Sequence, residues 1–193
     1  MARGWVQAIG RSLRGLRAGM ASLASHRAWV RRSPECIHVS SPVFGHGTDI
    51  PERFTADGAQ AFPPLQWSGL PVGTASLVLL VEDADVPLPI PLTHALVYNI
   101  PSTLTGLAEG SIPAVTRGRD PSGYVVGRNS LGRPGWLPPS PPPGHGPHHY
   151  AFQLFALDCR PSWESPAGRT AMLRAMHGHV LGWGVLFGVF ERV

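Results

Sequence analysis

From residue 37 onward the chain breaks into short apolar runs separated by turn residues, at 37–40, 77–81, 95–100, 124–126, 150–157 and 185–190. Runs of this length, several rich in β-branched and aromatic side chains, predict strands. The stretch SLVLLVE at 76–82 has no polar face. It predicts a strand covered on both sides, as in a β-sandwich with helices at its margin. One helix is expected near the C-terminus, with Ser165 as its cap, Pro166 in its first turn and Met172, Met176 and Val180 on one face. Gly182 and Gly184 would follow its end. Before residue 34 the period changes. Trp5, Ile9, Leu13, Leu16, Met20 and Leu23 share one helical face and Arg3, Arg11, Arg14 and Arg17 take the other, the pattern of an amphipathic helix that must bury its apolar side.

Composition adds two constraints. Glycine (23) and proline (21) are abundant in 193 residues, so turns are frequent, and the stretch 112–147 reads as a long Pro/Gly-rich connection with little strand signal. The net charge of +4 is segregated: all 16 basic residues are arginine, and seven of them precede Pro34 in a stretch with no acid. Residues 35–193 are therefore net acidic, which argues against a nucleic-acid-binding face on the body. Two segments are expected, an arginine-rich amphipathic piece at 1–34 and one domain at 35–193. The first would pack on the domain, pair two copies as a homodimer, act as a targeting segment or touch an anionic membrane surface. No apolar run reaches 18 residues, and a cytoplasmic protein is expected. Cys36 and Cys159 match no metal-binding or redox spacing and read as free thiols.

Three places carry candidate chemistry. EDADVP at 82–87 follows the apolar strand, and Asp83 and Asp85 at i, i+2 would face one side of an extended chain. His94 opens the next apolar run, and PPPGHGPHHY at 141–150 fixes the backbone before His148 and Tyr150, which share a face that His149 does not. A metal centre built from Asp83, His94 and His148 lacks a supporting spacing, and GRNSLG at 127–132 is not a nucleophile elbow. There is no lysine and no phosphate loop. A pocket for a small anion asks least of these residues, since imidazoles and glycine backbone amides donate to phosphate oxygens. No cofactor, metal or catalytic residue is assigned, and no enzyme is expected.

Four ordered blocks, 54–87, 94–101, 127–158 and 175–192, resemble the phosphatidylethanolamine-binding protein family, and most closely its bacterial Raf kinase inhibitor-like branch. The resemblance covers about residues 37–193. It implies a mainly β fold, a sandwich of one large and one small sheet with a C-terminal helix, to which this chain adds the N-terminal helix. It implies a site that binds phosphate or a phospholipid headgroup such as phosphoethanolamine, formed by Asp83, His94, His148 and Tyr150 with Gly146 and Pro142 in its wall, and His145 outside it in a solvent-exposed loop. It also implies a second role as a regulator of a kinase or protease partner. Three positions depart from the family pattern: Ala84 replaces a proline, His149 an arginine, and Leu92-Thr93 stand where aromatic residues are common. The loss of the arginine removes a permanent cation that a neutral histidine does not replace.

Overall fold

A computed structural model describes residues 2–114 and 120–193. Two helices, α1 (Ala2–Leu13) and α2 (Arg169–Met176), accompany nine strands: β1 (His38–Ser40), β2 (Thr48–Asp49), β3 (Leu65–Ser68), β4 (Ser76–Asp83), β5 (Leu92–Ile100), β6 (Gly106–Leu107), β7 (Val125–Val126), β8 (His148–Leu157) and β9 (Val180–Phe190). The small sheet has the order β1-β3-β6 and the large one β2-β9-β8-β4-β5-β7. All pairs are antiparallel except β2 with β9.

The apolar run of β4 is buried along its whole length, and strand alternation assigns its residues to two cores. Leu77, Leu79 and Val81 join the core between the sheets with Trp67, Phe152 and Leu154. Val78 and Leu80 face the other way, toward Met172 and Met176 of α2 and toward Ala24 and Val30 of the N-terminal region. The sandwich with a marginal helix is thus as expected. The helix itself is shorter than its sequence suggests. It starts at Arg169 behind Gly168, Ser165 does not cap it, and Val180 already belongs to β9. Gly182 and Gly184 lie inside that strand because the chain before β1 crosses there: a Cβ on Gly184 would sit 1.9 Å from the Ile37 carbonyl oxygen. β3 was not anticipated, although its LQWS alternates buried and exposed.

The N-terminal segment departs most from expectation. The helix stops at Leu13, the chain turns through Gly19 at φ 84°, and two short 3-10 turns, Met20–Ser22 and Ala24–His26, carry it to the body. Trp5, Ile9 and Leu16, read as a face to be buried, are 61%, 49% and 56% exposed. α1 instead sits on the body through Gly10, where an added Cβ would lie 2.1 Å from the Pro143 carbonyl oxygen. A glycine permits that approach and a larger residue does not. Arg14 donates to the Gly144 carbonyl (2.7 Å), and the amides of Ala18 and Gly19 donate to Val86 and Ala84 (3.0 and 2.8 Å), so residues 13–19 form a strap across the β4–β5 loop.

A buried carboxylate ties these parts together. Glu82 is fully buried on the α2 side of the sheet and accepts from Arg169, from the Ala24 amide (2.9 Å) and from Gln153 Nε2 (2.7 Å). Arg169 also donates to the Ser22 carbonyl at 3.0 Å. Removing the cation alone leaves the carboxylate buried without its charge partner, so Arg169→Met should lower unfolding free energy by about 3–5 kcal/mol in urea titrations. A loss below about 1 kcal/mol would show that Arg169 is not what compensates Glu82.

Candidate functional site

Register brings the three sequence segments to one place. β4 pairs with β8 so that Asp83 stands opposite Tyr150, and with β5 so that Asp83 stands opposite Leu92. His94 and His148 are thereby carried to the end of β4. The proline-rich stretch then closes a cavity of about 180 Å³ whose lining includes Asp83, His94, His148, Leu137 and Pro142. Asp83, His94, His148 and Tyr150 are all at most 2% exposed. Gly146 and Tyr150 are not among the lining residues. Gly146 lies at φ 102° beneath the guanidinium of Arg17.

His148 is held at both ring nitrogens. Its Nδ1 meets Asp83 Oδ2 at 2.7 Å, and its Nε2 meets His145 Nδ1 at 2.8 Å. His145 Nε2 in turn donates to the Leu13 carbonyl of the strap, 2.9 Å away. His145, read from sequence as a solvent-exposed loop residue, is fully buried, because α1 and the strap cover the loop that carries it. The hydrogen-bond count constrains the charge. A carbonyl only accepts, so with Asp83 ionised all three contacts are satisfied only when the two rings share three protons, which is one imidazolium opposite one carboxylate. This wall of the cavity is then neutral overall.

His94 is different. Its Nδ1 donates to the Leu137 carbonyl at 2.6 Å, while Nε2 is buried without a partner. Burial lowers its pKa below the ordinary value of 6.5, against the opposing influence of Asp83 and the Leu137 carbonyl. The neutral ring with Nδ1–H therefore keeps a lone pair on Nε2. Tyr150 stands edge-on to it, with ring centroids 5.1 Å apart, and its hydroxyl is also buried without a hydrogen-bond partner. Burial, reinforced by the charges of Asp83 and Asp85, raises the phenol well above 10, so it stays a donor. The cavity lining thus presents one uncompensated acceptor, His94 Nε2.

Asp83 and Asp85 do not share a face as their spacing suggests. β4 ends at Asp83, whose Oδ1 accepts the Asp85 amide at 2.8 Å, and this local turn swings Asp85 away. Asp85 binds the backbone amide and Nδ1 of His149, each at 2.7 Å, and forms an ion pair with Arg17. Burial raises its pKa, but Arg17 and the two His149 contacts outweigh it and hold the carboxyl below its usual range. The cation missing at position 149 is thus supplied by the strap. Nothing in the sequence marks Arg17 or His145 for these roles, since both depend on where residues 13–19 cross the body.

Both nitrogens of His148 carry hydrogen bonds, and Ser130 Oγ accepts the Thr93 amide at 2.7 Å. Among the described residues, Asp158, Cys159 and His179 bring three potential metal ligands within 4.8 Å of one another, at the opposite end of β8 from the cavity. His179 Nδ1 and Asp158 Oδ1 are 2.8 Å apart, and both cysteines are free. No described helix is long and apolar enough to cross a membrane.

Comparison with known proteins places the body in a family whose model stops short of the strap, although a UPF0098 protein of Archaeoglobus fulgidus, 32% identical, matches over 95% of this chain. The family model described as phosphatidylethanolamine-binding protein matches residues 40–191. A UPF0098 protein of Pyrococcus horikoshii is 41% identical over 152 residues, 79% of this chain and 75% of its own length. Another, from Methanothermobacter thermautotrophicus, is 40% identical over 81% of this chain and 99% of its own. The crystal structure of a putative phosphatidylethanolamine-binding protein homolog from Chlamydia trachomatis superposes with a TM-score of 0.72 at 33% identity, covering 82% of this chain and 99% of that one. YbcL of E. coli gives 0.71 at 30% identity, with coverage of 81% and 99%. The matched span carries the large sheet, most of the small one and every residue that lines the cavity, and on that ground the chain belongs to the phosphatidylethanolamine-binding protein family.

Proposed function

We propose that the cavity binds a small phosphate-bearing anion of headgroup size, and that the protein is a binding protein and not an enzyme. The observation that carries this reading is the buried, unpartnered acceptor His94 Nε2 in the cavity lining. Leaving such a group unsatisfied costs about 1–3 kcal/mol, which a ligand of matching polarity recovers. The ligand must donate to Nε2. A hydrogen phosphate monoester does so through its P–OH, and the ammonium of an ethanolamine headgroup can replace the P–OH as donor. The neutral Asp83–His148–His145 wall does not repel an anion. A volume of 180 Å³ is below the roughly 300–1,000 Å³ of sites for drug-sized ligands, which suits a group of headgroup size.

Isothermal titration with phosphoethanolamine tests the reading. His94→Gln should weaken binding by about tenfold, as expected for a single hydrogen bond in a partly enclosed site, and Tyr150→Phe, outside the lining, should change it less. Equal affinity in wild type and His94→Gln would remove the assignment. These substitutions are preferable to His148→Ala, which strands the buried Asp83 carboxylate and confounds binding with folding.

The pH dependence follows from the neutral His94. A phosphate monoester has its second pKa near 6, so at pH 7.5 the P–OH form that suits Nε2 is the minor one, and binding should take up protons. Affinity for phosphoethanolamine should rise as pH falls from about 8 toward 6, and the observed enthalpy should vary with buffer ionisation enthalpy. The diester glycerophosphoethanolamine, which has no P–OH to protonate, should bind without proton uptake. Buffer-independent enthalpy for the monoester would mean that His94 does not accept from the phosphate.

A further inference from the structure

We infer that α1 and the adjoining strap, which precede the span of the family model, form a docking surface for an anionic membrane. The apolar face of α1 is turned outward. Val6, Gly10 and Leu13 face the body or are partly covered, while Trp5 and Ile9 are 61% and 49% exposed. Trp5 and Ile9 fall on the same side of the helix at i and i+4. Large apolar side chains in solvent carry meaning when they cluster. Of the nine exposed large hydrophobic residues among those described, six are Trp5, Ile9, Leu16, Leu88, Ile90 and Leu131. They occupy segments bound to one another or to the cavity. The strap that carries Leu16 hydrogen-bonds to Ala84 and Val86, at the start of the loop bearing Leu88 and Ile90, and Leu131 lines the cavity together with Val86.

Charge selects the partner. The segment 1–34 holds seven arginines and no acid, and Arg11 and Arg14, both exposed, take the polar side of α1 away from Trp5 and Ile9, with Arg14 bound to the Gly144 carbonyl. An exposed tryptophan and isoleucine on one side and arginines on the other, on a helix without a carboxylate, suit the boundary between anionic headgroups and acyl chains. A second copy of the chain would bring two arginine-rich segments together and is disfavoured by that repulsion. α1 need not leave its seat to dock, because the side that meets the body is the Gly10 side. The loop 141–146 serves both functions at once, with Pro141 and Pro142 lining the cavity and Pro143 and Gly144 receiving α1. Docking therefore sets the cavity close to the headgroup layer, although the surface stands without the ligand proposed for the cavity.

Co-sedimentation of the full chain with vesicles of 30% phosphatidylglycerol in phosphatidylcholine tests the inference. Binding should exceed that to pure phosphatidylcholine vesicles and should fall as salt is raised from about 0.05 to 0.5 M. The double substitution Trp5→Ala, Ile9→Asn should reduce partitioning by at least about tenfold, since it removes the groups that enter the acyl boundary. That variant should retain wild-type phosphoethanolamine binding, and His94→Gln should retain wild-type vesicle binding, so failure of either site is read separately. No pelleting above the neutral-vesicle level would overturn the docking surface, as would equal pelleting of the double variant. A concentration-dependent dimer in sedimentation velocity that the double variant abolishes, without vesicle binding, would assign the face to a second copy instead.

Discussion

Two adjacent carboxylates at the end of β4 set the terms for everything around them. Glu82 and Asp83 are both buried, and on a strand they point to opposite faces, so each face of the large sheet must supply partners for a charge. On the outer face Glu82 gathers Arg169, Gln153 and the Ala24 amide. This joins α2, β8 and the N-terminal region at one point. On the inner face Asp83 takes the His148 ring and the Asp85 amide. That contact anchors the first residue of β8 and shapes the cavity. One sequence position apart, the same requirement to compensate a buried charge organises packing on one side and a ligand-sized space on the other.

The strap extends the polar network beyond the span of the family model. His145 connects His148 to the Leu13 carbonyl, and Arg17 completes the shell of Asp85 beside His149. A chain that lacks the expected arginine at 149 has thus recovered a guanidinium from more than a hundred residues away. The substitution and the N-terminal extension belong together physically: a histidine at 149 leaves Asp85 partly compensated, and Arg17 supplies the permanent charge. The cost is that the histidine wall becomes dependent on a segment bound mainly through backbone carbonyls and one ion pair.

Much of the site could be read from residues alone because its members lie at strand ends, where period-2 alternation fixes direction. His148 and Tyr150 share a face across His149, and the apolar neighbours of β4 divide cleanly between two cores. The reading failed where direction depends on something other than the strand. Asp85 follows the last residue of β4, and a side-chain bond from Asp83 to its amide turns it outward. Gly182 and Gly184 look like helix terminators, yet they make room for a crossing backbone. The apolar pattern of residues 5–23 predicts a buried face, and Gly15 and Gly19 interrupt the helix before that face can form.

The sequence by itself determined the sandwich, the family and four residues of the cavity lining, Asp83, His94, Pro142 and His148, because alternation, turn chemistry and ordered motifs are local and survive without knowledge of partners. Tertiary structure alone decided that Tyr150 and Gly146 stay out of that lining and which of its members keep free hydrogen-bonding capacity. His94 has a ring nitrogen to offer and His148 has none, since its two partners, Asp83 and His145, come from distant parts of the chain. The fate of the amphipathic helix was likewise a tertiary matter. Periodicity specifies that a helix has an apolar side, but only the position of a glycine against Pro143 decides that this side is the one left facing out.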